Sequence, residues 1–100
     1  MVVTLVSKDA DAAERLAHEL DTYLEALLGK GLLAFRIGRA DGTPAHLVLI
    51  EEWTNHDAHV KTLQSPGFAA LQATVAPLLA TPPVPVTYDI VAAGFADDDD

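Results

Sequence analysis

Residues 46–53 place apolar side chains on both faces of a predicted strand, which limits the possible folds more than any other feature of the chain. One face carries Leu47 and Leu49, and the other carries Val48 and Ile50. A strand with two apolar faces is expected to be buried on both sides. A chain of 100 residues forms one domain with a modest core and cannot cover both faces itself. We therefore expect helices on one face and a second copy of the chain on the other, with a monomer that has one solvated face as the alternative.

β-Branched runs and amphipathic stretches follow one another along the chain in a defined order. Alternating runs are typical of strands, and apolar residues three or four positions apart are typical of helices. These patterns predict a strand at 2–6, a helix at 13–27, strands at 32–39 and 46–53, a helical stretch at 56–79 that pauses at 65–67, and a strand at 84–91. The order β-α-β-β-α-β predicts a ferredoxin-like α+β fold, in which a four-stranded antiparallel sheet carries both helices on one face.

Capping side chains and turn residues set the expected ends of the helices. Asp11 and Glu14 have the spacing of a capping box for the first helix, and Gly29 and Gly31 are expected to end it. The second helical stretch follows two capping residues, at positions 54 and 55, and either of them could cap it.

Two further predictions concern which residues of the second strand share a face and where the last strand lies. Leu33, Phe35 and Ile37 are expected to share one face of a strand that forms a hairpin with the next strand across 40–45. Prolines around the start of the last strand place it at a sheet edge or in a segment that crosses to another subunit.

The charge of the chain is strongly acidic. The formal net charge is −9, and removing the four aspartates at 97–100 leaves −5. An acidic surface repels nucleic-acid phosphates and anionic membranes, so neither is an expected partner. We expect one domain over residues 1–94, followed by a disordered, self-repelling acidic tail at 95–100.

Several classes of protein are disfavoured by what the sequence lacks. The chain has no cysteine, which excludes disulfides, thiol nucleophiles and thiolate metal sites. It shows no signal-peptide pattern and no apolar run near the ~20 residues of a membrane helix. The expected location is therefore the cytoplasm.

Residues 47–58 and the Ser-Pro-Gly-Phe segment at 65–68 resemble the signature stretch of the antibiotic-biosynthesis-monooxygenase family, including its Glu-x-Trp at 51–53. The resemblance implies a dimeric α+β barrel with a pocket between each sheet and its helices. Some members of this family oxygenate aromatic polyketides or quinols with molecular oxygen and neither metal nor flavin, and others degrade haem.

The chain departs from the family pattern at three positions. Members often carry a histidine nine residues after the tryptophan, where this chain has Thr62, and another just before the final aromatic residue, where it has Gly67. The haem-degrading branch carries a histidine where Gln72 stands, which disfavours haem ligation.

Cofactor-free oxygenation requires a dry pocket, a base that forms the substrate anion and a donor that steadies the developing oxyanion. Glu51 and His59 are the candidate catalytic residues, because a half-buried carboxylate or an imidazole can act as that base. The alternative for Glu51 is an ion pair with Arg36 or Arg39, and the alternative for His59 is a solvated position on its helix. We expect no metal and no cofactor.

The candidate substrate-binding residues are Trp53, Leu49, Phe68 and Arg36. The Trp53 ring could stack on a planar aromatic ligand, although a core aromatic has the same pattern. Arg36 could pair with an anionic substrate. The chain's two tyrosines, at 23 and 88, could donate to a substrate oxygen but fit core positions better. Its histidines at 56 and 59 share a helix face without a third metal ligand.

Two functions are consistent with these patterns. The first is a homodimeric, cofactor-independent monooxygenase that oxidises a small phenolic, quinol or polyketide-like aromatic compound with oxygen. The second is a non-catalytic dimeric barrel that binds a small aromatic ligand or serves as an accessory or stress protein.

Overall fold

The computed structural model describes residues 1–96. Its elements are β1 (Val2–Val6), α1 (Ala10–Glu25), β2 (Leu32–Ala40), β3 (Thr43–Trp53), α2 (His56–Leu63), α3 (Pro66–Val75), a 3₁₀ turn (Ala76–Leu78) and β4 (Val84–Val86). The strands form one antiparallel sheet in the order β2-β3-β1-β4. This arrangement confirms the predicted ferredoxin-like α+β fold. Positions 97–100 of the predicted tail lie outside the described residues.

The core lies between one face of the sheet, here called the inner face, and the helices. Period-2 alternation turns Leu47 and Leu49 of β3 inward, where they are buried together with Leu16 and Leu20 of α1. The other face of the sheet, here called the open face, carries the alternate residues of each strand. Ile50 lies on this face and is 45% exposed.

The cap of α1 differs from the prediction. Asp9, rather than Asp11, is the N-cap residue, and its side chain accepts a hydrogen bond from the Ala12 amide at 2.7 Å. Asp11 lies inside the first turn, so the predicted capping box at Asp11 and Glu14 is wrong. The helix also ends at Glu25, before the two glycines that were expected to end it.

The pause in the second helical stretch is confirmed as a break between two helices. Asn55 caps α2 by accepting from the Ala58 amide at 2.8 Å. Ser65 caps α3 by accepting from the Phe68 amide at 3.2 Å, and Pro66 occupies the first turn, where its missing N–H costs nothing.

A bulge changes the face of one predicted residue in β2. The pairing with β3 shifts between Leu32 and Ala34, so that Leu32 is 1% exposed and Leu33 is 58% exposed. Phe35 and Ile37 pack against the core as expected. Leu33 does not share their face, because the extra residue in the bulge reverses the alternation at that point.

The last strand is shorter than predicted and lies at a sheet edge. It spans Val84–Val86 rather than 84–91. In its antiparallel register Val86 lies opposite Val2, the first residue of β1. The pairing with β1 ends at Val86, and residues 87–96 are exposed. No helix within the described part of the chain is both long and apolar enough to span a membrane.

The capping assignment makes a prediction about stability. We expect Asp9→Ala to lower the free energy of unfolding by about 1 kcal/mol, because it removes the acceptor for an otherwise unpaired helix N–H. Urea denaturation monitored by circular dichroism measures this change, with Asp11→Ala as the matched control. A larger loss in the control than in Asp9→Ala would contradict the assignment.

Candidate functional site

A cavity of about 310 Å³ lies between the inner face of the sheet and the helices. Its walls are mainly apolar and come from several elements, including Leu5 of β1, Leu20 of α1 and Leu71 of α3. A few polar side chains are exceptions, and they come from β3 and from all three helices. An apolar cavity with a small number of polar groups is the usual form of a small-molecule site.

Five of the six predicted site residues line this cavity. They are Leu49, Glu51, Trp53, His59 and Phe68. β3 supplies the first three on successive inward positions, because residues two apart share one face of a strand. The structure thus brings together residues from one strand and both halves of the second helical stretch.

Arg36 is the predicted site residue that the structure does not bring to the cavity. It lies opposite Ile50 on the open face and is exposed. Glu51 instead lies opposite Phe35 on the inner face. The interpretation of Glu51 as an ion-pair partner of Arg36 is therefore wrong, because the two side chains leave the sheet on opposite sides. Arg39 lies opposite Leu47, which precedes Glu51 in β3.

The Glu51 carboxylate is held by the neighbouring tryptophan. The Trp53 indole Nε1 donates a hydrogen bond of 2.7 Å to Glu51 Oε1. Burial raises the pKa of Glu51, while the Trp53 hydrogen bond and the Met1 ammonium group oppose that rise. The Met1 ammonium also donates to the Glu51 backbone carbonyl at 2.8 Å, a contact that the sequence gave no reason to expect.

The His59 ring stacks on the Trp53 ring. The ring centroids are 4.8 Å apart and the planes meet at 17°. His59 is only 6% exposed, so the interpretation of a solvated helix histidine is wrong. Burial lowers the pKa of His59, and the positive charges of Met1 and His56 lower it further. Its Nε2 atom is buried and has no hydrogen-bond partner among residues 1–96.

Tyr23 also lines the cavity, although its position in the sequence fits a core residue. Its hydroxyl is buried and forms no hydrogen bond with any described residue. Burial raises the pKa of Tyr23. The Ser65 side chain is near enough to lower it, although without hydrogen-bonding geometry, and the Glu51 charge adds to the rise. No sequence signal marks a tyrosine whose hydroxyl lacks a partner, because that depends on how the helices pack.

Thr62 and Gln72, two of the three positions at which the sequence departs from the family pattern, both line the cavity. The Thr62 hydroxyl donates to the Ala58 carbonyl of its own helix at 3.1 Å, so its proton is already used. Among the residues that the structure describes, no group of three or more histidine or carboxylate side chains is placed to hold a metal ion.

The sequence and the fold were compared with known proteins. The family model described as antibiotic biosynthesis monooxygenase matches residues 1–74. No curated protein matches the chain in sequence.

Solved structures share the fold over most of the chain. One is an antibiotic biosynthesis monooxygenase, with 20% identity, a TM-score of 0.76, and coverage of 91% of this chain and 96% of the other. A Nitrosomonas europaea protein named as a candidate member of the same class has 20% identity, a TM-score of 0.78 and the same coverage. Rv0793 from Mycobacterium tuberculosis has 20% identity and a TM-score of 0.72, covering 91% and 95% of the two chains. At these identities the likeness shows the fold alone.

The raised pKa of Glu51 predicts a pH dependence of stability. A raised folded-state pKa means that the folded protein favours the protonated carboxyl, so this stabilisation is fully present below the unfolded value of 4.5. It is lost as pH rises through the folded-state pKa. We therefore expect wild type to lose stability relative to Glu51→Gln as pH rises above 4.5, measured by urea denaturation at a series of pH values.

Glu52→Gln is the matched control, because Glu52 follows Glu51 in β3 and points to the open face. It removes the same charge from the other side of the sheet. An equal pH trend in both variants would contradict the assignment of the trend to burial of Glu51.

Proposed function

Because the chain belongs to the antibiotic biosynthesis monooxygenase family, we propose that it is a monooxygenase that oxidises a small phenolic, quinol or polyketide-like aromatic compound with molecular oxygen and no cofactor. The observation that carries this proposal is the array of Glu51, Trp53 and His59 on the wall of an apolar cavity. The indole joins the carboxylate by a hydrogen bond and the imidazole by ring stacking.

The size and walls of the cavity support a small planar substrate. A volume of about 310 Å³ is at the lower end of small-molecule sites, which range from roughly 300 to 1,000 Å³. The Trp53 ring and the Phe68 side chain offer aromatic contacts to such a substrate. Apolar walls keep water away from a carbanion or phenolate and from the oxygen adduct that follows.

His59 is the candidate base. Its lowered pKa keeps the imidazole neutral near pH 7, and its buried Nε2 has no partner among residues 1–96 that competes for a substrate proton. Glu51 is the second candidate, because its raised pKa makes its carboxylate a better proton acceptor than an ordinary one. Either base would take a proton from the substrate hydroxyl or from an activated ring methylene.

The reaction balances without an external reductant. In an anthrone-type substrate the base removes a proton, and the anion gives one electron to oxygen. Recombination forms a carbon–oxygen bond, and the resulting peroxide loses water. The methylene becomes a carbonyl, one oxygen atom stays in the product and the other leaves as water. All electrons come from the substrate, so the protein only has to bind, orient and move the proton.

The second candidate function is a non-catalytic barrel that binds a small aromatic ligand or serves as an accessory protein. Thr62 favours it, because this residue stands where relatives often carry a histidine and its hydroxyl is committed to Ala58. Gly67, at the other such position, has no side chain to offer.

We also propose that two copies of the chain pair through their open faces. Ile50, Val84 and Val86 share this face by their register and are all exposed. Arg36 lies beside them, opposite Ile50. Burying these apolar side chains against a second sheet would supply the cover that one chain lacks.

Oxygen uptake tests the proposed reaction. We expect chelator-treated protein to consume oxygen with hydroquinones or anthrones faster than the spontaneous rate. His59→Gln should lower the rate about 100-fold, the lower range for losing a general base. His56→Gln is the matched control, because His56 is an exposed histidine one turn earlier on α2.

Two results would contradict this proposal. Uptake equal to the spontaneous rate across the panel would favour the binding protein, and uptake abolished by chelation would contradict cofactor independence. The base must be unprotonated, so the rate should fall as pH drops through its pKa. That pKa lies below 6.5 if the base is His59 and above 4.5 if it is Glu51, and these two ranges overlap. The base is therefore identified by the variant, His59→Gln or Glu51→Gln, in which this fall of the rate at low pH disappears.

Light scattering after size exclusion tests the pairing. We expect a mass of twice the 10.6 kDa chain, and we expect Ile50→Glu to yield the monomer, because a charge would be buried between the sheets. Ala69→Glu, at an exposed position of α3 in the helical layer, is the control. A monomeric wild type at micromolar concentration would refute the pairing.

A further inference from the structure

Two of the residues that line the cavity carry a buried polar atom without a hydrogen-bond partner. Within residues 1–96, three buried side-chain atoms lack a hydrogen bond: Ser7 Oγ, the Tyr23 hydroxyl and His59 Nε2. Tyr23 and His59 both line the cavity, whereas Ser7 does not. A buried polar group without a partner is costly, and phenylalanine would fill the place of Tyr23 without that cost. The two atoms therefore indicate a ligand that bears complementary groups.

Tyr23 and His59 line the same cavity as Glu51 and Trp53. His59 stacks on Trp53, and the Trp53 indole is bonded to Glu51. Tyr23 approaches the helix of His59 through Ser65: a Cβ at Gly67 would lie 3.8 Å from Tyr23 Cε1 and 3.9 Å from Ser65 Oγ, and Ser65 Oγ donates to the carbonyl of Thr62 in α2. Most of the other lining residues are apolar.

The neighbours of Tyr23 do not satisfy its hydroxyl. Ser65 is the nearby polar side chain, but its only proton goes to the Thr62 carbonyl at 2.6 Å, so it cannot donate to Tyr23. Its oxygen accepts from the Phe68 amide at 3.2 Å, which caps α3, and it receives no hydrogen bond from Tyr23. The ring of Tyr23 is fixed against Phe68, with centroids 6.5 Å apart, so the hydroxyl is held in place while it lacks a partner.

We propose that Tyr23 and His59 bind one aromatic hydroxyl group of the substrate, with Tyr23 donating a hydrogen bond to the oxygen and His59 Nε2 accepting its proton. The proton moves from the substrate oxygen to His59, and the Tyr23 proton stays on its own oxygen and steadies the phenolate. The site then selects hydroxyl-bearing aromatic compounds over their methyl ethers. This inference rests on the proposed function, because it names the atoms that bind the substrate hydroxyl and take its proton.

The pKa directions are consistent with these roles. Burial raises the pKa of Tyr23, so it keeps its proton and remains a donor. Burial lowers the pKa of His59, so the imidazole is free to accept before a ligand enters.

Binding of 4-nitrophenol tests the proposal without oxidation. The nitrophenolate absorbs visible light, so a titration reports both affinity and ionisation of the bound compound, and 4-nitroanisole is the ether that lacks the proton. We expect wild type to bind nitrophenol at least 10-fold more tightly than nitroanisole and to shift it towards the phenolate. Tyr23→Phe should lower this preference about 10-fold, because one charge-assisted hydrogen bond is lost.

Tyr88→Phe is the matched control, because Tyr88 is the only other tyrosine, is exposed and does not line the cavity. The affinity for nitroanisole reports whether the cavity of each variant is intact, so the ratio of the two affinities is the readout. An unchanged ratio in Tyr23→Phe, or equal binding of both compounds by wild type, overturns the proposal. Failure of oxygen uptake with an intact nitrophenol preference overturns the monooxygenase alone.

Discussion

Burial of the inner face of β3 positions both the core and the cavity. Leu47 and Leu49 pack beneath α1, and the same alternation carries Glu51 and Trp53 inward two and four residues further along. The strand therefore cannot bury its apolar residues without also taking a carboxylate out of water. The Trp53 indole offsets part of that desolvation, because it gives Glu51 a hydrogen bond that remains inside the protein.

The same apolar surroundings act in opposite directions on the two titratable groups. Burial disfavours charge, so it raises the pKa of Glu51 and lowers that of His59. The pKa values of Glu51 and His59 are therefore closer together than those of an ordinary glutamate and histidine. The Trp53 side chain contacts both groups. Such a pair favours the neutral forms of both groups while the cavity is empty. An ionised ligand would reverse the effect on His59, because a nearby negative charge stabilises the imidazolium.

Most features that depend on local sequence could be predicted, and those that depend on register or packing could not. Alternation placed Glu51 and Trp53 on one face, and the cap of α2 followed from the polar residues at 54 and 55, but α1 is capped by Asp9 rather than by Asp11. The exposure of Leu33 and the early end of β4 required knowledge of the bulge and of the pairing with β1. The burial of His59 depends on how α2 is rotated against the sheet, and the face of Arg36 depends on the register that sets it opposite Ile50.

Two of the three departures from the family pattern, Thr62 and Gln72, line the cavity, and the third, Gly67, packs beside Tyr23. A Cβ atom at Gly67 would lie 3.8 Å from the Tyr23 ring, an ordinary van der Waals distance, so this position packs beside the tyrosine. The imidazole comes from His59 on the preceding helix instead. In the proposed site, the proton acceptor and the hydrogen-bond donor therefore come from α2 and α1 and not from the positions at which the family pattern has histidine.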